Sequence, residues 1–250
     1  MPFIRLQRSI RDLGFKDAVF YALAKGLAHL SGGRVQLVRY HLVAQPINAA
    51  LLPVLRTPGQ CVIRQVDAAD PVCAAFPRPA EVIRERFARG YECFVAEQKG
   101  VFAGYLWLAR GTYDEDEVRL RYELADPLQR LCVWDFDVYI EPSFRLGRTF
   151  ARLWQAVNAH LASEGVNWSI SRISAFNPAS HAAHRRLGMQ RLGSATFLLA
   201  GQHQLSFLGR WPYVSLSADK RSCPSLRLTA PPALAGSHPP SRQDISTDPH

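Results

Sequence analysis

The sequence predicts a mixed α/β sandwich organised around one βαβ crossover. Three observations predict it. The apolar run Leu131 to Ile140 (LCVWDFDVYI) reads as a strand and is closed by Pro142. A helical repeat follows from about residue 148 to 163, and a second strand-like run spans 166–176. A hairpin signal lies upstream and a closing pair of strands downstream, so the order is hairpin, strand, helix, strand, helix, strand, strand. With 250 residues the chain can bury a core without disulfides or a structural metal.

Along the chain, residues 9–30 read as a helix with Val19, Leu23, Leu27 and Leu30 on one face, ended by Ser31-Gly32-Gly33. Seven Lys and Arg in residues 1–40 face two Asp, which makes this helix basic and amphipathic. It either lies weakly on an anionic membrane surface or packs its apolar face on the domain. Arg34 to Val43 and Cys61 to Val66 have strand character. Pro79 opens a short helix that Gly90 ends. Strands at Cys93 to Ala96 and Val101 to Ala109 join at Gln98-Lys99-Gly100. Asp114-Glu115-Asp116-Glu117 is expected to be a solvated loop, with attraction of a cationic amine as the alternative. The helix after Pro142 presents Phe150, Leu153, Trp154, Val157 and Leu161 at helical spacing and closes at Gly165. Asn177-Pro178 opens a short helix ending at Gly188, and strands follow at 190–199 and 204–216. From residue 218 the chain is rich in Pro and Ser and reads as a disordered tail. The expected division is 1–48 for the basic helix and first strand, 49–217 for the main domain, and 218–250 for the tail.

The balance of 30 Lys plus Arg against 21 Asp plus Glu favours a polyanionic partner: nucleic acid, an anionic membrane, or a phosphate-rich ligand. The sequence shows no nucleic-acid motif and no basic stripe interleaved with aromatics, which argues against the first. The five cysteines are odd in number and form no metal-like cluster, so reduced thiols, no metal and a cytoplasmic location are expected. No apolar run approaches the roughly 18 residues of a membrane span. Any membrane contact would be peripheral.

The stretch Val138 to Thr149, VYIEPSFRLGRT, carries the chemistry. A strand enters a turn with one glycine, and a helix starts just after it. Backbone N–H groups of such a turn, with a helix N-terminus, make an anion site. Arg145 and Arg148 flank Gly147 and would add charge-assisted bonds to phosphate oxygens. About thirty residues on stands Asn177-Pro178-Ala179-Ser180, followed by His184 and by Leu187-Gly188-Met189.

These two stretches, in this order and separation, resemble the coenzyme A-binding elements of the GNAT superfamily of N-acetyltransferases. Gly147 matches the central glycine of the pyrophosphate loop, whereas Phe144 and Thr149 depart from its first and last positions. Asn177, Ser180, Leu187 and Gly188 match the second motif, with Met189 in the place of Phe. The resemblance covers roughly residues 60–215. It implies a GNAT-like α/β fold: a mixed, mostly antiparallel central sheet flanked by helices, with splayed central strands. It implies acetyl-CoA as co-substrate, its pyrophosphate on Arg145, Leu146, Gly147, Arg148 and Thr149. Its pantetheine arm would lie along the backbone of Val138, Tyr139 and Ile140, with Asn177 holding the cofactor or ordering the strand end. The expected reaction is transfer of an acetyl group to a primary amine by direct attack in a ternary complex. His184 stands where relatives place a Tyr that protonates the departing thiolate; a plain polar helix residue is the alternative. Asp135 and Asp137, on one face of a strand by period-two alternation, are the candidates for the base, Asp137 ahead of Asp135. Both also fit binding of a cationic substrate or pairing with Arg. Two other readings stay open: a non-catalytic acyl-CoA-binding or regulatory module, and a membrane-surface acyltransferase of envelope polysaccharide biosynthesis. The acceptor amine, the length of the acyl group and the oligomeric state are not specified by these residues.

Overall fold

The structure, a computed structural model, describes residues 11–47, 61–125, 131–219, 222–229 and 231. Strand β1 is Val35–Pro46, β2 Cys61–Val66, β3 Glu92–Gln98, β4 Val101–Ala109, β5 Thr112–Asp114 and β6 Arg121–Leu124. The later strands are β7 Cys132–Ile140, β8 Trp168–Ser174, β9 Gln190–Ala200, β10 His203–Phe207, β11 Val214–Ser217 and β12 Ser225–Leu228. The helices are α1 Phe15–Leu30, α2 Ala80–Ala88, α3 Thr149–Ser163 and α4 Pro178–Arg186, with single 3-10 turns at Pro71–Ala75 and Pro142–Phe144.

Nine strands form one sheet in the order β11-β10-β9-β1-β8-β7-β4-β3-β2, and β12-β6-β5 form a small second sheet. Every neighbour pair in the large sheet is antiparallel except β7 with β8. The sheet is therefore mixed and mostly antiparallel, as expected. One face carries α3, whose Leu153, Trp154, Val157 and Leu161 pack on Leu106, Leu108 and Val133. This is the apolar repeat read from the sequence, doing what a 3.6-residue period does. The other face is covered by α2 and the small sheet, through Ile83, Tyr113, Tyr122, Leu226 and Leu228.

The hairpin β3-β4 turns at Lys99 and Gly100, both at positive φ (53° and 77°), where glycine and a few polar residues are tolerated. Gly104 has a different reason to be glycine. A Cβ there would meet the Tyr139 carbonyl oxygen at 2.4 Å and Ile140 Cδ1 at 2.8 Å, so the absent side chain lets β4 and β7 pair.

Four expectations are corrected. First, the strand grouped with the N-terminal helix lies inside the large sheet, hydrogen-bonded to β8 on one side and β9 on the other. Second, α1 packs through Tyr21, edge-on to Phe176, and half-buried Leu27 rather than through the whole expected apolar face. Val19, Leu23 and Leu30 are exposed, and the helix buries Asp17 and Ala18 instead. An ion pair fixes this orientation: Asp17 Oδ1 accepts from Arg39 Nε at 2.9 Å, and His41 Nε2 lies 3.1 Å from Asp17 Oδ2. Third, the acidic loop is held down. Asp114 pairs with Arg121, Glu115 with Arg172, Asp116 with Arg86, and Glu117 accepts from the Tyr40 hydroxyl. Fourth, residues 225–228 form β12 beside β6 and bury Leu226 and Leu228 completely, although they fall in the expected disordered tail. The remainder of that tail, residues 232–250, lies outside the described residues.

Candidate functional site

Strands β7 and β8 pair over only three registers, Cys132 with Trp168, Val133 with Ser169 and Trp134 with Ile170. Beyond these they part. β7 continues beside β4 to Ile140, and β8 continues beside β1 to Ser174. The edges between Asp135–Ile140 and Ser171–Ser174 thus face each other across a wedge. These are the splayed central strands the sequence resemblance implies. Of the three strand residues expected to hold a pantetheine arm, Val138 lines the cavity of this wedge, and Tyr139 and Ile140 follow it along β7.

A cavity of about 280 Å³ occupies the wedge. Its lining comes from both faces of the sheet: Tyr40, Glu117 and Arg172 from one, and Asp135, Ser171, Asn177 and His184 from the other. The predicted residues Asp135, Asp137, Val138, Asn177 and His184 are therefore brought together at one opening.

The two aspartates are not on one face. Register on β4 shifts between Trp107 and Leu108, so Trp107 opposes Asp137, Leu108 opposes Asp135, and Phe136 is an extra residue. Such a bulge reverses the alternation of side chains. Asp135 points toward α3 and α4, where Ser169 Oγ donates to its Oδ2 at 2.6 Å. Burial pushes the Asp135 carboxyl up to about 7, against the hydrogen bonds from Ser169 and Ser171. Asp137 points the other way. Its Oδ2 accepts from Arg86 Nη1 at 2.8 Å, Arg78 Nε at 3.1 Å and the Tyr105 hydroxyl at 3.1 Å. Burial alone would raise this carboxyl, but the two guanidiniums outweigh it and hold it below the usual carboxylate range. A carboxylate so bound is a poor proton acceptor at neutral pH.

His184 is 6% exposed, and its Nδ1 lies 3.0 Å from Gln45 Oε1. An amide oxygen only accepts, so Nδ1 carries the ring proton and Nε2 is left as the acceptor. Burial, with a smaller contribution from His181, lowers the His184 pKa to about 4. The lowered pKa favours the neutral imidazole at physiological pH. Gln45 was missed in the sequence. Its signal was a lone amide in the apolar run HLVAQ.

Asn177 caps α4: its Oδ1 accepts from Ser180 N at 3.0 Å. The cap uses the backbone N–H of Ser180 and fixes the start of α4 just past the end of β8, beside the wedge. On the other side of the opening, Arg172 Nε donates to Glu115 Oε2 at 2.6 Å, and Tyr40 donates to Glu117. Tyr40 and Arg172 carried no sequence signal as site residues, and Glu117 carried one only as part of the acidic stretch; the topology brings the three together from β1, a loop and β8.

The turn after β7 is compact. Gly147 N donates to Phe144 O at 3.1 Å, and Arg145 Nε to Ile140 O at 2.9 Å. Arg145, Leu146, Gly147 and Arg148 are all exposed, whereas Thr149 is fully buried and its hydroxyl lies 3.3 Å from Gln98 Nε2. The first backbone N–H groups of α3 have no partner within the helix. With Arg145 and Arg148 beside them they suit an anion.

No family model matches the sequence, and no curated protein matches it. Solved structures are similar to this chain at low identity. A functionally unknown conserved protein from Staphylococcus epidermidis is 14% identical, with a TM-score of 0.47 over 70% of this chain and 66% of its own. A GCN5-related N-acetyltransferase from Kribbella flavida is 16% identical, with a TM-score of 0.40 over 70% of this chain and 63% of its own. The chain therefore spans less than two thirds of the length of either. An aminoglycoside N-acetyltransferase in complex with CoA is 17% identical, with a TM-score of 0.40 over 54% of this chain and 91% of its own.

Proposed function

We propose that the wedge binds an acyl-CoA, acetyl-CoA in the simplest case, and that the protein transfers the acyl group to a primary amine. The observation that carries this reading is the parting of β7 and β8 after three paired residues, immediately before the turn and helix N-terminus that bear Arg145 and Arg148. An extended, amide-rich arm fits along an unpaired strand edge, and its diphosphate fits the start of α3. Val138, Tyr139 and Ile140 then supply fixed backbone partners to the pantetheine and the thioester carbonyl. The acceptor enters from the side of Tyr40 and Glu117.

In the reaction the amine nitrogen attacks the thioester carbon, the C–N bond forms, and the C–S bond breaks. The nitrogen loses a proton and the thiolate gains one. Asp135 lines the cavity with a pKa near 7, which suits both halves of that exchange. It takes the proton from the attacking nitrogen, directly or through water, and returns it to sulfur. His184, neutral, offers Nε2 as a hydrogen-bond acceptor.

The Gly147 N–H is already bonded to Phe144 O, so in an enzyme and in a non-catalytic acyl-CoA-binding module alike the diphosphate relies on the start of α3 with Arg145 and Arg148. The same experiment tests both readings. Calorimetry with coenzyme A measures binding, and thiol release from acetyl-CoA with a panel of primary amines measures turnover. Binding with turnover on at least one amine is expected. Binding with no turnover on any amine favours the binding module, and no binding of coenzyme A removes both.

A further inference from the structure

The outward face of α1 is apolar. At 100° per residue, Phe15, Val19, Leu23 and Leu30 fall within an 80° arc along about 22 Å of helix. They are 72%, 43%, 51% and 86% exposed. The opposite side of the helix already packs on the sheet through Asp17, Ala18 and their neighbours, so this stripe is not the one that anchors α1. Cations border it. Lys16 and Lys25 lie on either side of the stripe, and Arg11 and Arg34 lie beyond its ends, all exposed. The only exposed acid among residues 11–34 is Asp12, since Asp17 is buried against Arg39 and His41.

The apolar surface also continues past the helix. A groove of about 530 Å³ opens between α1 and the outer strands, walled by Phe20, Leu27, Leu37, Leu198 and Phe207, with Lys16 among its lining. Four residues beyond Phe207, Trp211 is 80% exposed.

We propose that this face docks the protein on an anionic lipid bilayer, with α1 lying in the interface. The charge pattern selects that occupant. A second copy laid face to face would bring Lys16 and Lys25 against their own likes, at a cost in repulsion. Anionic headgroups beside a shallow apolar layer satisfy both the stripe and its cationic borders. No helix among the described residues is long and apolar enough to cross a membrane, so the contact lies along the surface. The proposal does not depend on the chemistry of the wedge.

The test is flotation of the full chain with vesicles of phosphatidylcholine mixed with phosphatidylglycerol, against vesicles of phosphatidylcholine alone, with light scattering run in parallel. Co-flotation with the mixed vesicles is expected, weakening as salt is added. Val19→Glu with Leu23→Glu should abolish it. Lys16→Glu with Lys25→Glu should weaken it at least about tenfold. All four positions are exposed, so the melting temperature and the circular dichroism spectrum should hold in both variants. Three results would overturn the proposal: no binding of the natural protein to mixed vesicles, binding that neither variant changes, or a dimer that Val19→Glu with Leu23→Glu dissociates.

Discussion

Asp135 and Asp137 stand two residues apart on β7 and point to opposite faces of the sheet, because the bulge at Phe136 separates them. One shares the wedge with His184 and is raised to about 7; the other is clamped by Arg78 and Arg86. Their replacements should therefore fail in different ways.

Asp135→Asn should lower kcat by about 10²-fold or more and leave coenzyme A affinity nearly unchanged. Under the proposed function the rate of the natural protein should rise with pH through about 7, as the carboxylate forms, and then level. That limb should vanish in the variant. The stability sign is opposite. A carboxyl held at about 7 binds its proton more tightly folded than unfolded, so folding stability falls as pH rises from about 4 to 7. Asp135→Asn should flatten that fall. A variant with full kcat at pH 7 would rule out the proton role.

Asp137→Asn should act on stability. It leaves Arg86, 5% exposed, without its closest carboxylate partner, and breaking a buried pair costs about 3 kcal/mol or more. Because the Asp137 pKa is lowered, the natural pair stabilises above the ordinary carboxylate pKa and weakens as pH falls below it. Denaturant melts across pH 3 to 7 check both points, and an unchanged midpoint would show the pair to be dispensable.

His184 and His41, both lowered to about 4 by burial, should make the fold acid-labile. Each contributes stability that is complete above the unfolded value near 6.5 and is lost as pH falls toward 4. His184→Gln should shrink that loss without moving the rate limb near 7. Ring-nitrogen NMR should find a neutral His184 at pH 7 with its proton on Nδ1; a charged ring would contradict the geometry.

Gly104→Ala and Gly147→Ala make a matched pair. A Cβ at Gly104 would lie 2.4 Å from Tyr139 O, so β4 and β7 must move apart beside the wedge. A loss of about 1–3 kcal/mol is expected, with weaker coenzyme A binding. At Gly147 the nearest atom would be Phe144 O at 3.3 Å, so the fold should hold. Any change there should appear in coenzyme A affinity alone.

Ending the chain at residue 221 should destabilise it strongly. Leu226 and Leu228 are fully buried, and Leu226→Ala alone should cost about 2–5 kcal/mol. A thermal melt that does not shift would place β12 outside the core.

Much of this architecture was legible in the sequence, and the exceptions share a cause. The face of α3 follows from the spacing of Leu153, Trp154, Val157 and Leu161, which is local information. The hairpin at Lys99-Gly100 and the cap at Asn177 are local as well. The bulge at Phe136 is not, because it exists only in register against Trp107 and Leu108. The buried side of α1 was misread because an Asp17–Arg39 ion pair, set by a strand about twenty residues later, outweighed the hydrophobic stripe. β12 was missed because four residues give too short a pattern to stand out from a Pro- and Ser-rich stretch. His184, Asn177 and Asp135 could be nominated from motif and residue type, but Gln45, Tyr40 and Glu117 reach the wedge only through long-range topology.

The position of β1 has a consequence for how the molecule is made. Tyr40 pairs with Ser174 on one side and Ala195 on the other, more than 130 residues away in the chain. A strand of this kind has no neighbours when it leaves the ribosome. β1 has no partner in the large sheet until residues 168–174 of β8 have been made, and none on its other side until β9 follows. Closing so long a loop is slow, and an open strand is a template for the wrong partner in the meantime. Pairing of this early strand with β8 also completes the β8 side of the wedge.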